Sequence, residues 1–278
     1  MDQPQTKRSL WQSLPALLRA LILGGLVGAA GTMVWLILVS ANLQRDPAVP
    51  WSVAAMAFYL VIYWWFLRGG IVPWAATRRR ELLRVEPLPA SGWNWALLAL
   101  VLGFLAAFVF LIGIQARIAE VPAGAFPATG NTPWYAVVSY IAMVGIVAGV
   151  AEEAAYRGYM QVELERAYGP AAAIVLSSII FALAHFSVPL LPFVTAVGAL
   201  LGTVAYLARS IVPGLVVHGV YDFLVTLMIW QFGYPQMPKL GLSQGIDEPF
   251  LIAATLAGLA ATGSVWAMTN LARQSRTA

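Results

Sequence analysis

The sequence predicts an all-α, polytopic membrane helix bundle. Of its 278 residues, 60% are hydrophobic and 10% are charged, whereas soluble domains have roughly 45–50% and about 25%. The apolar residues form runs of roughly 20 residues, the length that a helix needs to cross a hydrocarbon core of about 30 Å. Because backbone in lipid must satisfy its own hydrogen bonds and the alternating pattern of a membrane barrel is missing, each run is predicted to be a helix.

Eight spans follow one another along a single membrane domain of residues 1–278. They are Ala16 to Leu43, Trp51 to Leu67, Trp93 to Gln115, Trp134 to about Arg157, Ala171 to Phe186, Leu190 to Leu207, Ile211 to Gln231 and Phe250 to Ala272. The first run is too long for a signal peptide and lacks a small-residue cleavage site, so it is interpreted as a span. Between the fifth and sixth spans, Pro189 and Pro192 fit either a tight turn or a break inside one long segment.

The distribution of Lys and Arg predicts that both termini are cytoplasmic. The termini and the loops on their side carry 13 of these residues, and the opposite loops carry 3, which is the asymmetry that the positive-inside rule requires. The Arg-rich segment Thr77 to Pro89 is interpreted as a cytoplasmic loop or surface helix. Binding of lipid headgroups is its alternative function.

Composition also excludes several kinds of chemistry. The chain has no cysteine, which rules out disulfides, thiolate nucleophiles and cysteine-ligated metals. Its formal charge of +4 comes mostly from arginines near span ends, an arrangement that suits a lipid bilayer with anionic headgroups. No basic stripe is interleaved with aromatic residues, so nucleic acid is not an expected partner.

Ionisable residues inside spans are costly and are functional candidates by default. The first group is Glu152-Glu153-x-x-x-Arg157. Glu153 and Arg157 are four residues apart and share a helix face, whereas Glu152 points about 100° away. This geometry predicts that Arg157 holds Glu153 and that Glu152 faces into the bundle, although adjacent acids near a helix end also occur for purely structural reasons.

The chain has two histidines, and both lie in predicted spans. They occur as Phe181-x-x-x-His185 and His218-x-x-x-Asp222, so that each pair shares one helix face. A lone histidine on an apolar helix is often only a packing residue, but a carboxylate that orients an imidazole is already half of a catalytic arrangement.

Depth brings the three motifs together. If the fourth and fifth helices turn at Gly169 and Pro170, Glu153 lies 16 residues before Gly169 and His185 lies 16 after it, which places them at equal height on antiparallel helices. His218, near the cytoplasmic start of the seventh span, should lie in the same half of the membrane. We therefore expect one cluster that opens toward the cytoplasm.

Such a cluster suits amide hydrolysis, which needs a base for water, a proton donor for the leaving amine and donors for the oxyanion. The same residues could bind zinc: Glu152, His185 and His218 supply two imidazoles and a carboxylate, with Glu153 or Asp222 supporting them. The HExxH zincin signature is missing. The residues alone leave the metal-dependent and metal-independent forms open.

In this order on successive helices, the three motifs resemble the CPBP family, the type II CAAX prenyl endopeptidases and their bacterial relatives. The resemblance covers roughly residues 134–230. It implies that Glu152 activates water, that Glu153 and Arg157 support it, that His185 positions water or metal, and that His218 and the residue four later stabilise the oxyanion. That last residue is often Asn in the family and is Asp222 here, and an acid donates a hydrogen bond only when protonated.

The resemblance implies an intramembrane endopeptidase whose partners are the lipid bilayer and a peptide or membrane-protein substrate. Family members are described both as metal-independent glutamate proteases and as metalloproteases. Prenylated C-terminal peptides suit the eukaryotic members. A composition rich in Ala, Gly, Arg and Trp is typical of a GC-rich bacterium, which favours the inner membrane and a membrane-associated peptide substrate.

Three other functions are open at this stage. A proton- or ion-coupled transporter would use the same buried acids and histidines, but it requires polar groups on the far side of the spans, where the sequence shows almost none. A haem protein with His185 and His218 as axial ligands leaves the acids unexplained. The third is a catalytically inactive membrane scaffold.

Overall fold

The computed structural model describes residues 10–118, 132–233 and 246–274, which form an all-α polytopic membrane bundle. The helices used below are α1 (Ala16–Arg45), α2 (Trp51–Leu67), α3 (Ala76–Leu83), α4 (Ala90–Gln115), α5 (Trp134–Tyr168), α6 (Pro170–Leu183), α7 (Leu191–Ala208), α8 (Val212–Phe232) and α9 (Glu248–Gln274). Within these ranges β pairing is limited to one antiparallel bridge, Val85 with Ser210.

The apolar helices lie close to the runs predicted from hydropathy, with one correction at the fifth span. Helix α6 ends at Leu183 and not at Phe186, so His185 lies in the turn after the helix and not on it. Six of them are long and apolar enough to cross a membrane: α1, α4, α5, α7 with the turn before it, α8 and α9. Two further apolar helices, α2 and α6, are shorter, with 17 and 14 residues. The polar helix α3 occupies the Arg-rich segment, in agreement with its interpretation as a loop or surface helix.

The predicted end of the fourth span at about Arg157 is wrong. Helix α5 continues to Tyr168 because its last turns have their own buried contacts, among them a hydrogen bond of 3.0 Å from Gln161 to the Gly202 carbonyl of α7. The helix ends at Gly169, whose φ of +79° suits glycine. Arg157 is therefore buried inside a helix and does not belong in the loop count, which becomes 12 against 3 and predicts the same orientation.

The connection between α6 and α7 is a reversal of the chain and not one long segment. Phe181 packs with Val194, and the space beside Gly198 is filled by Ser178. Contacts that advance on one helix as they recede on the other show that the two helices are antiparallel. The chain turns through a short 3₁₀ segment, Val188–Leu190.

Helix α8 lies very close to α5 because three glycines remove side chains from the contact. A Cβ at Gly145 would meet the carbonyl of Gly219, and one at Gly149 would meet the carbonyl of Leu215. Small residues that let two helix backbones approach are typical of membrane bundles. The next turn of α5 carries the acids, so this contact positions α8 directly against them.

The opposite face of α5 packs against α1, again through small residues: Gly31 meets Ala151, and Gly24 meets Met160. Helices α4 and α9 form a second layer. At one end of this layer, Arg117 pairs with Asp247, which caps α9. A hydrogen bond from the Phe250 N–H, reinforced by that from Arg117, lowers the pKa of the Asp247 carboxyl.

Candidate active site

The two acids lie on an unusual stretch of backbone. Residues Ala148–Met160 of α5 form a π-helix, in which each N–H bonds to the carbonyl five residues earlier. Such segments are rare, are usually only one turn long and are frequent at functional sites. This one spans 13 residues and carries Glu152, Glu153 and Arg157.

Glu153 is fully buried and holds two partners with one oxygen. Its Oε1 lies 3.2 Å from Nη1 of Arg157 and 2.9 Å from Nδ1 of His218. A carboxylate only accepts hydrogen bonds, so Nδ1 of His218 carries the proton that it donates. The sequence predicted the contact with Arg157 but not the one with His218, so Glu153 also fixes the orientation of the imidazole.

Glu152 lies on the other side of the same imidazole. Its Oε2 is 3.9 Å from Nε2 of His218, and Oδ2 of Asp222 is 3.7 Å from the same nitrogen. Both separations are longer than a direct hydrogen bond and leave room for a bridging atom. The Glu152 side chain is 22% exposed and that of Glu153 is 0% exposed, so Glu152 is the acid that a substrate or water can reach.

His185 meets Glu152 at a cavity of about 280 Å³. Its Nδ1 lies 2.9 Å from the carbonyl oxygen of Phe181, which only accepts, so the proton of the neutral ring is on Nδ1 and the lone pair is on Nε2. Two contacts join α5 to α6: Gln161 with Ser177, and Arg157 with Phe181. In each pair, the two residues are equally far from Gly169 along the sequence, one before it and one after it. These contacts confirm that the two helices are antiparallel, as the height argument required.

Phe181 is the aromatic residue that joins the site together. Its ring lies 4.0 Å from the guanidinium carbon of Arg157, 4.8 Å from the ring of His185 and 6.0 Å from that of His218. A second ring, that of Tyr156, packs edge-on against it at 5.0 Å. Sequence spacing paired Phe181 only with His185. No sequence signal indicated that Phe181 contacts Arg157 or that Tyr156 packs against Phe181.

Residues 133–224 match the family described as Type II CAAX prenyl endopeptidase Rce1-like. This segment is an Rce1-like domain. The match covers about a third of the chain and contains all six predicted site residues: Glu152, Glu153, Arg157, His185, His218 and Asp222. The match supports a membrane protease. No curated protein and no solved structure shows significant similarity to the chain.

One wall of the cavity comes from outside the Rce1-like domain. Helix α1 faces Glu152 and His185 with small residues, including Gly25, beside which the space is open, and Gly28. The side of the cavity nearest α1 is therefore shaped by backbone and leaves room for a chain to lie against it. The sequence motifs gave no indication that α1 contributes to the site.

A zinc site formed by Glu152, His185 and His218 was a second expectation for this cluster. In the part of the chain that the structure describes, no group of three or more His, Asp or Glu side chains is placed so that it could hold one metal ion. Nδ1 of His218 is already engaged by Glu153, which leaves only Nε2 as a possible ligand.

Proposed function

We propose that this protein is an intramembrane endopeptidase in which Glu152 activates water for hydrolysis of a peptide bond. The observation that carries the proposal is the different surroundings of two adjacent acids. Glu153 is buried, ion-paired with Arg157 and hydrogen-bonded to His218, whereas Glu152 is partly exposed at a cavity. A general base must reach its water, and Glu152 meets that requirement.

The water is held between Glu152 and His185. The carboxylate of Glu152 accepts one proton of the water, and the lone pair on Nε2 of His185 accepts the other, which leaves an oxygen lone pair free for attack. When the water oxygen bonds to the carbonyl carbon, the first proton moves to Glu152. The Phe181 carbonyl keeps the imidazole of His185 in the required tautomer.

His218 stabilises the tetrahedral intermediate. Its Nδ1–H is bonded to Glu153, so a second proton on Nε2 makes the ring an imidazolium, the form that the three surrounding carboxylates favour. Nε2–H then donates to the oxyanion from an orientation set before the substrate arrives. Glu152 then transfers its proton to the amide nitrogen as the C–N bond breaks. Asp222, 3.7 Å from Nε2, is too far away for a direct hydrogen bond and balances the charge of the ring as an ion-pair partner; it serves as an oxyanion donor only if it is protonated itself.

The substrate is a peptide or a membrane-protein segment that reaches the site within the bilayer. Two substrate classes are the candidates: prenylated C-terminal peptides and bacterial membrane-associated peptides. The composition favours the second class and a location in the bacterial inner membrane with both termini cytoplasmic. The open wall of α1 beside Gly25 supports an extended substrate that lies against that helix.

The test is cleavage of a panel of quenched peptides, prenylated and unmodified, by purified protein. Glu152→Ala and His185→Ala are expected to abolish cleavage while the protein stays folded and inserted. The same assay with a chelator, together with metal analysis, decides metal dependence. Cleavage retained by either purified variant contradicts the assignment, and ion flux through proteoliposomes without cleavage favours the transporter.

A further inference from the structure

A second cavity lies at the end of the bundle where α2, α5 and α7 finish. Its volume is about 760 Å³, and none of its lining residues belongs to the candidate active site. Arginine side chains from four parts of the chain surround it: Arg68, Arg80, Arg84, Arg166 and Arg209. The predicted orientation places this end at the cytoplasmic surface of the membrane.

The charges in this arginine cavity do not cancel. Three of the arginines are paired: Arg84 with Glu165, Arg166 with Glu81, and Arg209 with Glu86. Arg68 and Arg80 are exposed and form no ion pair with any residue in the described ranges. With the three glutamates already engaged, two guanidinium groups at the cavity have no carboxylate partner among the described residues and can bind an anion.

The wall of the cavity is held in place by backbone contacts. Val85 and Ser210 form the antiparallel bridge, and the N–H of Ile211 donates to the Arg84 carbonyl at 2.9 Å. Arg84 and Arg209 have φ angles of +54° and +52°, a region that residues with a Cβ seldom adopt. Both residues are the C-caps of their helices, α3 and α7, a position where helices commonly end in this conformation. Two helix ends therefore place Arg84 and Arg209 at the cavity.

We propose that the arginine cavity binds a phosphate-bearing anion at the membrane surface. A guanidinium group presents a planar fork of donors that matches phosphate oxygens, and Arg68 and Arg80 are free to use it. Tyr206 lines the same cavity, and Val162 and Leu207 provide apolar contacts for a glycerol or alkyl portion. Anionic headgroups are concentrated in the leaflet that this end of the bundle is predicted to face.

The experiment measures binding by calorimetry to the full chain in nonionic micelles. The probes are inorganic phosphate, dihexanoyl phosphatidylglycerol and dihexanoyl phosphatidylcholine, the lipids below their micelle-forming concentrations. The variant is Arg68→Gln/Arg80→Gln. The matched control is Arg45→Gln/Arg273→Gln, which removes two exposed arginines outside the cavity, also without ion pairs in the described ranges, for the same change of net charge.

The proposal predicts that phosphate or phosphatidylglycerol binds and that the cavity variant weakens this binding roughly tenfold, while the control variant leaves it unchanged. Binding of phosphatidylglycerol without phosphate identifies a lipid headgroup, and binding of phosphate with equal affinity identifies the free anion. Binding of neither probe, equal loss in the control, or equally tight binding of phosphatidylcholine overturns the proposal. The result does not depend on proteolysis.

Discussion

Replacing Glu153 by Gln is expected to destabilise the protein much more than the same change at Glu152. Glu153 is fully buried, with Arg157 at 3.2 Å and His218 at 2.9 Å. Removal of one partner from a buried ion pair costs about 3–5 kcal/mol. Because Gln still accepts a hydrogen bond from His218, the lower end of that range, about 3 kcal/mol, is expected.

Glu152→Gln is the matched control, since it removes one carboxylate charge from the adjacent residue. The ion-pair contact of Glu152 among the described residues is with Nε2 of His218 at 3.9 Å, and the Glu152 side chain is partly exposed, so the loss of its charge should cost less than about 1 kcal/mol. The difference of about 2 kcal/mol corresponds to a roughly 30-fold change in the unfolding equilibrium.

Both variants can be unfolded reversibly in mixed micelles with increasing dodecyl sulfate, followed by fluorescence of the 11 tryptophans. Equal destabilisation by the two substitutions would refute the reasoning, because it would mean that Glu153 does not hold Arg157 and His218 in the way described. Greater destabilisation by Glu152→Gln would reverse the two roles.

Three further predictions concern other parts of the structure. Gly149→Ala pushes a Cβ into a carbonyl of α8 and should lower the free energy of unfolding by about 1–3 kcal/mol and also lower cleavage. The control is Gly25→Ala, which adds a Cβ in open space and should leave stability unchanged. Equal melting temperatures of the two variants contradict the close contact. Phe181→Leu removes the ring beside Arg157 and should cost about 2 kcal/mol in the micelle titration; an unchanged midpoint argues against the cation–π contact. Asp247 has a lowered pKa, so its contribution to stability is complete above its ordinary value of 3.8 and is lost as the pH falls through the lowered one; Asp247→Asn should flatten that acid limb, and an unaltered pH profile contradicts it.

The helices could be predicted from the sequence because burial in lipid imposes a strong hydropathy signal. The turn at Gly169 and Pro170 was also predictable, since proline is favoured at the first position of a helix and glycine accepts positive φ. Hydropathy alone, however, ended the fourth span near Arg157 and did not show that the helix continues as far as this turn. The last turns of α5 are held by polar contacts such as that of Gln161 with α7, which have no apolar pattern.

The candidate site was predicted as a set of residues but not as a network. Spacing along one helix relates Glu153 to Arg157, whereas the bond from His218 to Glu153 depends on how α8 is rotated against α5. That rotation is set by glycine contacts such as Gly149 with Leu215, and single-sequence spacing does not show which glycines face each other. Neither the motifs nor their spacing predict the π-helical backbone that carries the two acids.

The account rests on Glu152 as the base, and the rate of peptide cleavage by purified Glu152→Gln tests this most directly. Gln keeps the size of the side chain but cannot take a proton from water, so the rate should fall by about 10²–10⁴ with the unfolding midpoint close to that of the unchanged protein. Cleavage within about threefold of the unchanged protein, by the same folded variant, would contradict the account.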